Sequence, residues 1–472
     1  MKEILKREIK FRSIFLIVKN LVNAIRFCLY YELSRKVSIY FPLLDTLLHE
    51  DYIKRVAHTI TEHIVSRGSS QLCARFLTKP ISIKEFKHTH NLAIVIGSLK
   101  GFFKNLLWDL EKDSEEYRLI SKFKVKVIGT FFDWLIADYN GLKARRGIIV
   151  NDRFIDEVTF VKPVPIHSCF ILNLPTESER YLHKKFSEAL EKYKVTLINP
   201  YIASLRADSK LLTHKLFETY NAIRGRLIEH PKYTFVQRDS TFSKVANEVL
   251  TFIKELDLKR IIVKPTHGTE GLYAKDFDLR RNSINELLNH IKLVLNFDDV
   301  IIEEFRGNML YKGTLHFVVR INVSWNGKEF KVESGYAQIA PKENYGIATT
   351  SHGGRIININ ELFRNLYFKV NENCIKKYTL TKEDIDRIKK ACVRVAEAIN
   401  LGLCERDYLK YMGIDLVLEV KDFKVIPIVL EVNSRPSGLS YSYTLSYDYE
   451  SDLGKANVIK NLIKYLEVTS HL

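Results

Sequence analysis

The sequence predicts a mixed α/β protein of several domains, preceded by a helical N-terminal extension. Three observations predict it. Residues 169–198 run strand, helix, strand, an order that favours parallel pairing. Residues 413–433 read with period two as a hairpin, one strand to Val420, a turn over 421–424 and a return strand to Asn433. Residues 1–90 read instead as helices. A length of 472 residues exceeds one ordinary core, and 46% hydrophobic with 27% charged residues is a globular balance, not a disordered one.

In chain order, residues 13–33 (SIFLIVKNLVNAIRFCLYYEL) form the most apolar stretch. Lys19, Asn20, Asn23, Arg26 and Glu32 interrupt it, which argues against a transmembrane span and for a helix with a wide apolar face. Internal packing or a second copy of the chain, hence a homo-oligomer, would cover that face; a membrane-surface helix is the alternative. A further helix follows at 51–66. His88 and His90 form an isolated HxH, which reads as a loop beside a domain boundary. Texture changes near 91. Residues 91–96 form a buried-type strand, 102–110 a helix, and 124–131, 147–150 and 157–162 strand-like pieces. The βαβ unit then places strands at 169–172 and 195–198 around a helix at 177–193. The division read from this is 1–90 helical extension, 91–205 small α/β domain, 206–300 and 301–450 two lobes, and 451–472 a closing helix and tail.

The 73 basic against 56 acidic residues give +17, which favours an acidic partner such as a nucleotide, a phosphorylated substrate or an acidic carrier protein. No zinc finger, RNA-recognition pattern or basic block is present, so nucleic acid is disfavoured. Six cysteines are scattered without a CxxC, fitting free thiols in a reducing cytoplasm, and no signal-peptide pattern opens the chain.

A helix over 207–223 carries Lys210 and leads to strand 260–264, whose Lys264 precedes the turn Gly268-Thr269-Glu270-Gly271. Glycines let backbone N–H groups approach phosphate oxygens, and the ammonium neutralises charge. Next come an apolar strand ending in Glu303-Glu304-Phe305, the strand HFVVRINV with Arg320, a polar loop 344–355 with Ser351-His352-Gly353-Gly354-Arg355, and a helix 382–400. In the hairpin, Asp415 shares a face with Val417 and Glu419, and Glu431 with Val429 and Asn433. A turn near Asp422 or Phe423 sets Asp415 opposite Glu431 within one residue. Carboxylates among apolar neighbours need compensation, and a hard divalent cation serving substrate phosphates supplies it. Arg435, just beyond, would place a cation beside those phosphates.

In this order the pieces IIVKPTHGTEG, VIIEEF, HFVVRI, SHGG, GIDLV and LEVNSRPSG resemble the ATP-grasp superfamily over about residues 165–445, closest to glutathione synthetase-like and ribosomal-protein glutamate ligase-like members. The resemblance implies an ATP-grasp fold with a preceding α/β domain. It implies Lys210 and Lys264 on ATP phosphates, Gly268, Thr269, Glu270 and Gly271 as the closing loop, and Glu303, Glu304 and Phe305 at the adenine edge. It further implies Arg320 and Arg355 beside the transferred phosphate with Lys264, and Asp415, Glu431 and Asn433 as ligands of Mg²⁺ or Mn²⁺. Two departures stand out. His352 precedes the glycine pair where relatives often carry arginine, and His316 or Val318 occupies the region of the ribose-binding acid. The reaction implied is ATP-dependent joining of a small-molecule or peptide carboxylate to an amine or thiol through an acylphosphate, releasing ADP. The rivals are a kinase of the same fold acting on a hydroxyl and a nucleotide-binding scaffold without turnover. Arg320 also has a purely structural reading, as an ion-pair partner of Glu333.

Overall fold

A computed structural model describes residues 80–81, 86, 89–95, 115–138, 141–151, 154–172, 184, 195–268, 271–343, 345–371, 374–435 and 458–468. The chain divides into Met1–Lys79 and Pro80–Leu472. The helices expected at 13–33, 51–66 and 102–110, nearly all of that at 177–193, and Thr269 and Glu270 lie outside the described residues.

The first sheet is built from β1 (Pro80–Ile81), β2 (His90–Val95), β3 (Val125–Thr130), β4 (Leu135–Asp138), β5 (Gly141–Asn151), β6 (Phe154–Ile166), β7 (Ser168–Ile171) and β8 (Thr196–Ile198), with α1 (Glu115–Lys122) before β3. Its order is β1-β6-β5-β3-β2-β7-β8, with β4 on β5. β2 is parallel to β3 and β7, and β7 to β8, as the βαβ reading requires. Every residue of β2 is buried because both faces are covered: Leu92 and Ile94 enter one core cluster, Ala93 and Val95 another. The short pieces read at 147–150 and 157–162 are parts of one long antiparallel hairpin, β5–β6. Charged residues and the prolines at 163 and 165 hide its length in the sequence.

The helix expected over 207–223 is two, α2 (Tyr201–Asp208) and α3 (Lys210–Arg224). Ser209 breaks it with φ −101° and ψ 109°, and its Oγ accepts from Leu212 N at 3.3 Å, capping α3. A four-stranded antiparallel sheet follows, from β9 (Tyr233–Val236), β10 (Arg260–Pro265), β11 (Lys275–Asp278) and β12 (Val300–Glu304), in the order β11-β10-β12-β9. Helices α4 (Phe242–Glu255) and α5 (Ile284–Leu295), absent from the sequence reading, close its back through Val245, Val249, Leu287 and Ile291.

The last lobe is carried by β13 (Met309–Tyr311), β14 (Phe317–Trp325), β15 (Phe330–Ile339), β16 (Arg355–Asn358), α6 (Ile359–Arg364), β17 (Leu366–Asn371), β18 (Cys374–Lys377), α7 (Lys382–Ile399), β19 (Tyr411–Lys421), β20 (Lys424–Asn433) and α8 (Val458–Val468). Its main sheet runs β16-β15-β14-β19-β20. α7 starts at a capping box of Thr381 and Asp384 and buries Ile388, Cys392, Val395 and Ile399 against one face of that sheet. On the other face α8 covers the end around Tyr411 and Ser324, and the remainder is left for the site. Among the described residues no helix is long and apolar enough to cross a membrane.

Candidate functional site

β19 and β20 meet at a two-residue turn, Asp422 (φ +50°) and Phe423 (φ +57°), between the paired Lys421 and Lys424. The count from that turn would put residue 430 opposite Asp415. A bulge adds one residue, so Asp415 pairs with Glu431 while Leu416 pairs with Val429. The bulge also corrects the face assignment. Val429 and Val432 enter the core under α7, whereas Leu430, Glu431, Asp415 and Val417 line a cleft on the opposite side. Glu431 therefore does not share a face with Val429.

Arg320, on β14, is the register partner of Asp415 on its other side and grips it with a fork, Nε to Oδ1 at 2.6 Å and Nη2 to Oδ2 at 2.5 Å. Glu333 takes a different partner, accepting from Asn461 Nδ2 at 2.9 Å. Asn433 Nδ2 lies 3.4 Å from Asp415 Oδ2, so the three residues expected at a metal converge. Among the described residues no group of three or more His, Cys, Asp or Glu side chains is placed to hold a metal ion. The donor set is two carboxylates and an amide, all oxygen, which suits a hard cation whose remaining positions are filled by phosphate or water. Burial acts to raise the Glu431 carboxyl, but Lys210, then Lys264 and Arg320, outweigh it and hold it below the usual range. Asp415 moves the other way, pushed up to about 6 by burial against the pull of Arg320, with the Glu431 charge adding to the rise. A cation between them would relieve that repulsion.

Facing the acids, Lys210 Nζ donates to Gly268 O at 3.0 Å and lies 3.9 Å from Glu431 Oε2. Lys264, from β10, donates to Glu303 Oε2 at 2.7 Å. Burial would lower its ammonium, but Glu303 and Glu431 outweigh it and raise it, so the lysine stays charged. Both lysines, Gly268 and Gly271 line the cleft with the acids. Its other end is apolar, walled by Ile262, Leu272, Ala274, Met309, Ile347 and Val417. With its open mouth the cleft encloses about 1000 Å³.

At Glu303 and Glu304 the side chains are spoken for. Glu303 is held by Lys264 and by His214, whose Nε2 lies 3.0 Å from Oε1, and their cationic and hydrogen-bonding pull overcomes burial to bring its carboxyl down to about 2. Glu304 Oε1 receives Arg306 Nη1 at 2.9 Å, and Arg306 forks onto Glu419 at 2.7 Å twice. The N–H groups of Glu304 and Phe305 donate to Lys232 O at 2.9 Å and Arg260 O at 3.1 Å. Phe305 contributes its ring, capped by the Arg260 guanidinium 3.9 Å above it.

Two cations expected here are elsewhere. Arg435 is buried in an ion pair with Asp208 of α2, which also accepts from Ser434 Oγ at 2.7 Å, so it serves the joint between α2 and β20 and not the phosphate end. Arg355 is exposed at the start of β16, its guanidinium 5.5 Å over the Tyr311 ring, and is not among the cleft-lining residues. His352 does reach the glycine loop: Nε2 lies 3.0 Å from Gly271 O and Nδ1 2.8 Å from the Tyr345 hydroxyl. His316 lines the apolar end, with Nε2 3.3 Å from Arg260 Nη1 and its pKa brought down to about 4 by burial and then by Arg260. His90, of the HxH, is buried against Ser168 Oγ at 2.7 Å. Sequence reasoning missed His214, Arg260 and Asp276; the one available signal was that His214 follows Lys210 by one helical turn and so shares its face.

No protein family description and no curated protein matches the sequence. Among solved structures the chain is similar to the VanG D-Ala:D-Ser ligase from Enterococcus faecalis, at 14% identity over 81% of this chain and 99% of that one, TM-score 0.48. It is also similar to D-alanyl-alanine synthetase A from Vibrio cholerae, at 13% over 81% and 97%, TM-score 0.46. A third is the D-alanine–D-alanine ligase from Bacillus anthracis complexed with ATP, at 14% over 81% and 99%, TM-score 0.43.

Proposed function

We propose that the protein is an ATP-grasp ligase that joins a small carboxylate to an amine with release of ADP and phosphate. One observation carries this reading. A single cleft has an apolar end and a polar end where Lys210 and Lys264 face Asp415, Glu431 and Asn433. Such a division suits a molecule with an aromatic base at one end and several negative charges at the other.

In this scheme a carboxylate oxygen of the first substrate attacks the γ-phosphorus, the bond to the β–γ bridging oxygen breaks, and ADP leaves. An amine then attacks the acyl carbon of the acylphosphate, phosphate departs and the amine gives up a proton. No nucleophile of the protein is required. Lys264 and Lys210 neutralise charge at the phosphates, and Arg320 fixes Asp415. Asp415, Glu431 and Asn433 would hold Mg²⁺ or Mn²⁺, which supplies charge neutralisation at the transferred phosphoryl group.

Mg·ATP should raise the melting temperature of the wild type, and Glu431→Gln should remove most of that rise, since a ligand that binds only the folded state stabilises it by mass action. Equal shifts in both proteins, unchanged by EDTA, would remove the metal assignment. Turnover is read as ADP release from ATP with pools of amino acids and small carboxylic acids. Hydroxylamine trapping then separates the ligase from a kinase, because only an acylphosphate yields a hydroxamate.

A further inference from the structure

Behind the polar end of the cleft a buried line of hydrogen-bonding groups runs back from Lys264 to side chains that the proposed chemistry does not use. Lys264 Nζ donates to Glu303 Oε2 at 2.7 Å, His214 Nε2 lies 3.0 Å from Glu303 Oε1, and His214 Nδ1 lies 3.1 Å from His230 Nδ1. The side chains of His214 and Glu303 are each 1% exposed. The line crosses three elements, β10, β12 and α3, and ends in the loop before β9.

Nε2 of His214 carries a proton, because its partner is a carboxylate oxygen. Nδ1 of His214 meets Nδ1 of His230, which also lies 3.1 Å from Pro231 O. Burial, and next the His214 ring, keep the His230 pKa down at about 4. The ring of His214 is stacked on Tyr233 at 4.6 Å between centroids and 22° between planes, with Phe217 edge-on at 6.2 Å. It cannot turn without losing that packing. Each oxygen of Glu303 is thereby assigned one partner, and its orientation follows.

A lysine ammonium is a point charge on a flexible stem, and what holds it in place determines where its charge falls. We propose that His214 is a positioning residue: by fixing the Glu303 carboxylate it sets the Lys264 ammonium at the phosphate end of the cleft. The proposal rests on the nucleotide reading of that cleft. Without the His214 donor, Glu303 keeps a buried oxygen unpaired, and the carboxylate swings with its lysine.

The test uses the full chain and Mg·ATP. His214→Phe keeps a ring of similar shape for Tyr233 and removes the donor; His214→Gln keeps an N–H near the Nε2 position and removes the ring. Should His214→Phe not fold, His214→Met fills similar space without a donor and takes its place. The donorless variant is expected to lose about tenfold or more in Mg·ATP affinity or kcat, as supporting partners of charged sites do, and His214→Gln to recover most of it. Combined with Lys264→Met, the donorless variant should add nothing further, because both act through one ammonium. A weaker His214→Gln than His214→Phe would overturn the proposal, since ring packing would then be the role. Full additivity with Lys264→Met would overturn it too. A wild type that gains no stability from Mg·ATP overturns this proposal together with the nucleotide reading. A responding wild type with equally responding variants overturns this one alone.

Discussion

At the scale of single residues the most exacting pair is Arg320 and Asp415, both more than nine-tenths buried and joined by two parallel hydrogen bonds. Removing one member leaves the other charge buried beside Glu431 without its partner. Arg320→Leu should therefore cost about 3–5 kcal/mol of folding stability. The double variant Arg320→Leu with Asp415→Leu should recover much of that, because no lone charge remains. Denaturant unfolding of the three proteins checks it, and a neutral Arg320→Leu would show that the fork does not hold the sheet. That Asp415 and Glu431 meet was legible in the sequence, because the turn residues set the pairing to within one step. The face of Glu431 was not. IPIVLEV is apolar at adjacent positions, so no alternation marks where Leu430 bulges out. Arg435 misled for a related reason: its distance from Glu431 along the chain is short, but Asp208, far away in sequence, claims it.

At the scale of elements, the loop 345–354 is held to the four-stranded sheet by contacts that no motif announces. Gly346 N donates to Asp276 Oδ2 at 2.8 Å, and His352 reaches Gly271 O. Gly346 allows this closeness, since a Cβ there would meet the Phe305 ring and the Asp276 carboxylate, and Gly354 allows the loop to fold back on itself. A Cβ on Gly354 would lie 2.7 Å from the carbonyl oxygens of Ala348 and Thr349 and 2.9 Å from that of Ile339. All are backbone atoms that cannot swing aside. Gly354→Ala should shift the loop, weaken Mg·ATP stabilisation several-fold and speed amide exchange over 345–354, while exchange in α7 stays as in wild type; unchanged exchange in the loop would refute the account. The strands β10, β12, β14, β19 and β20 were readable because each is a largely apolar run that carries one or two charged groups within it or at its end. α4 and α5 went unread although their apolar spacing and caps, Thr241 for α4 and the Ser283–Glu286 capping box for α5, are present in the sequence.

At the scale of the whole molecule, acid should be the destabilising condition. His230, His290 and His316 are each brought down from 6.5 to about 4, chiefly by burial. A folded pKa below the unfolded one means that the unfolded chain takes up protons first, so stability present above 6.5 is lost as pH falls towards 4. Asp415, raised from 3.8 to about 6, acts oppositely, gaining stability over much of the same window. These three, joined by His167, which burial also lowers, outweigh Asp415 and leave a net loss of stability between roughly pH 7 and pH 4. Glu303, lowered from 4.5 to about 2, extends the loss further down. Denaturant midpoints at the two pH values test this, and His290→Gln, away from the cleft, should flatten the slope; equal midpoints would contradict it. One contact has a mechanical meaning. Asn199, fully buried with φ +63°, accepts from the N–H groups of Lys410 and Tyr411 at 3.1 and 3.0 Å and donates to the carbonyls of Tyr411 and Ser434 at 2.7 and 2.6 Å. It thus bolts both roots of the β19–β20 ribbon to the end of β8. A beam clamped at its root moves least near the clamp, and Asp415 and Glu431 lie within four residues of it. At the far end the Phe423 carbonyl accepts from Tyr378 Oη at 3.2 Å, so the ribbon is held at both ends with its two acids beside the firmer one.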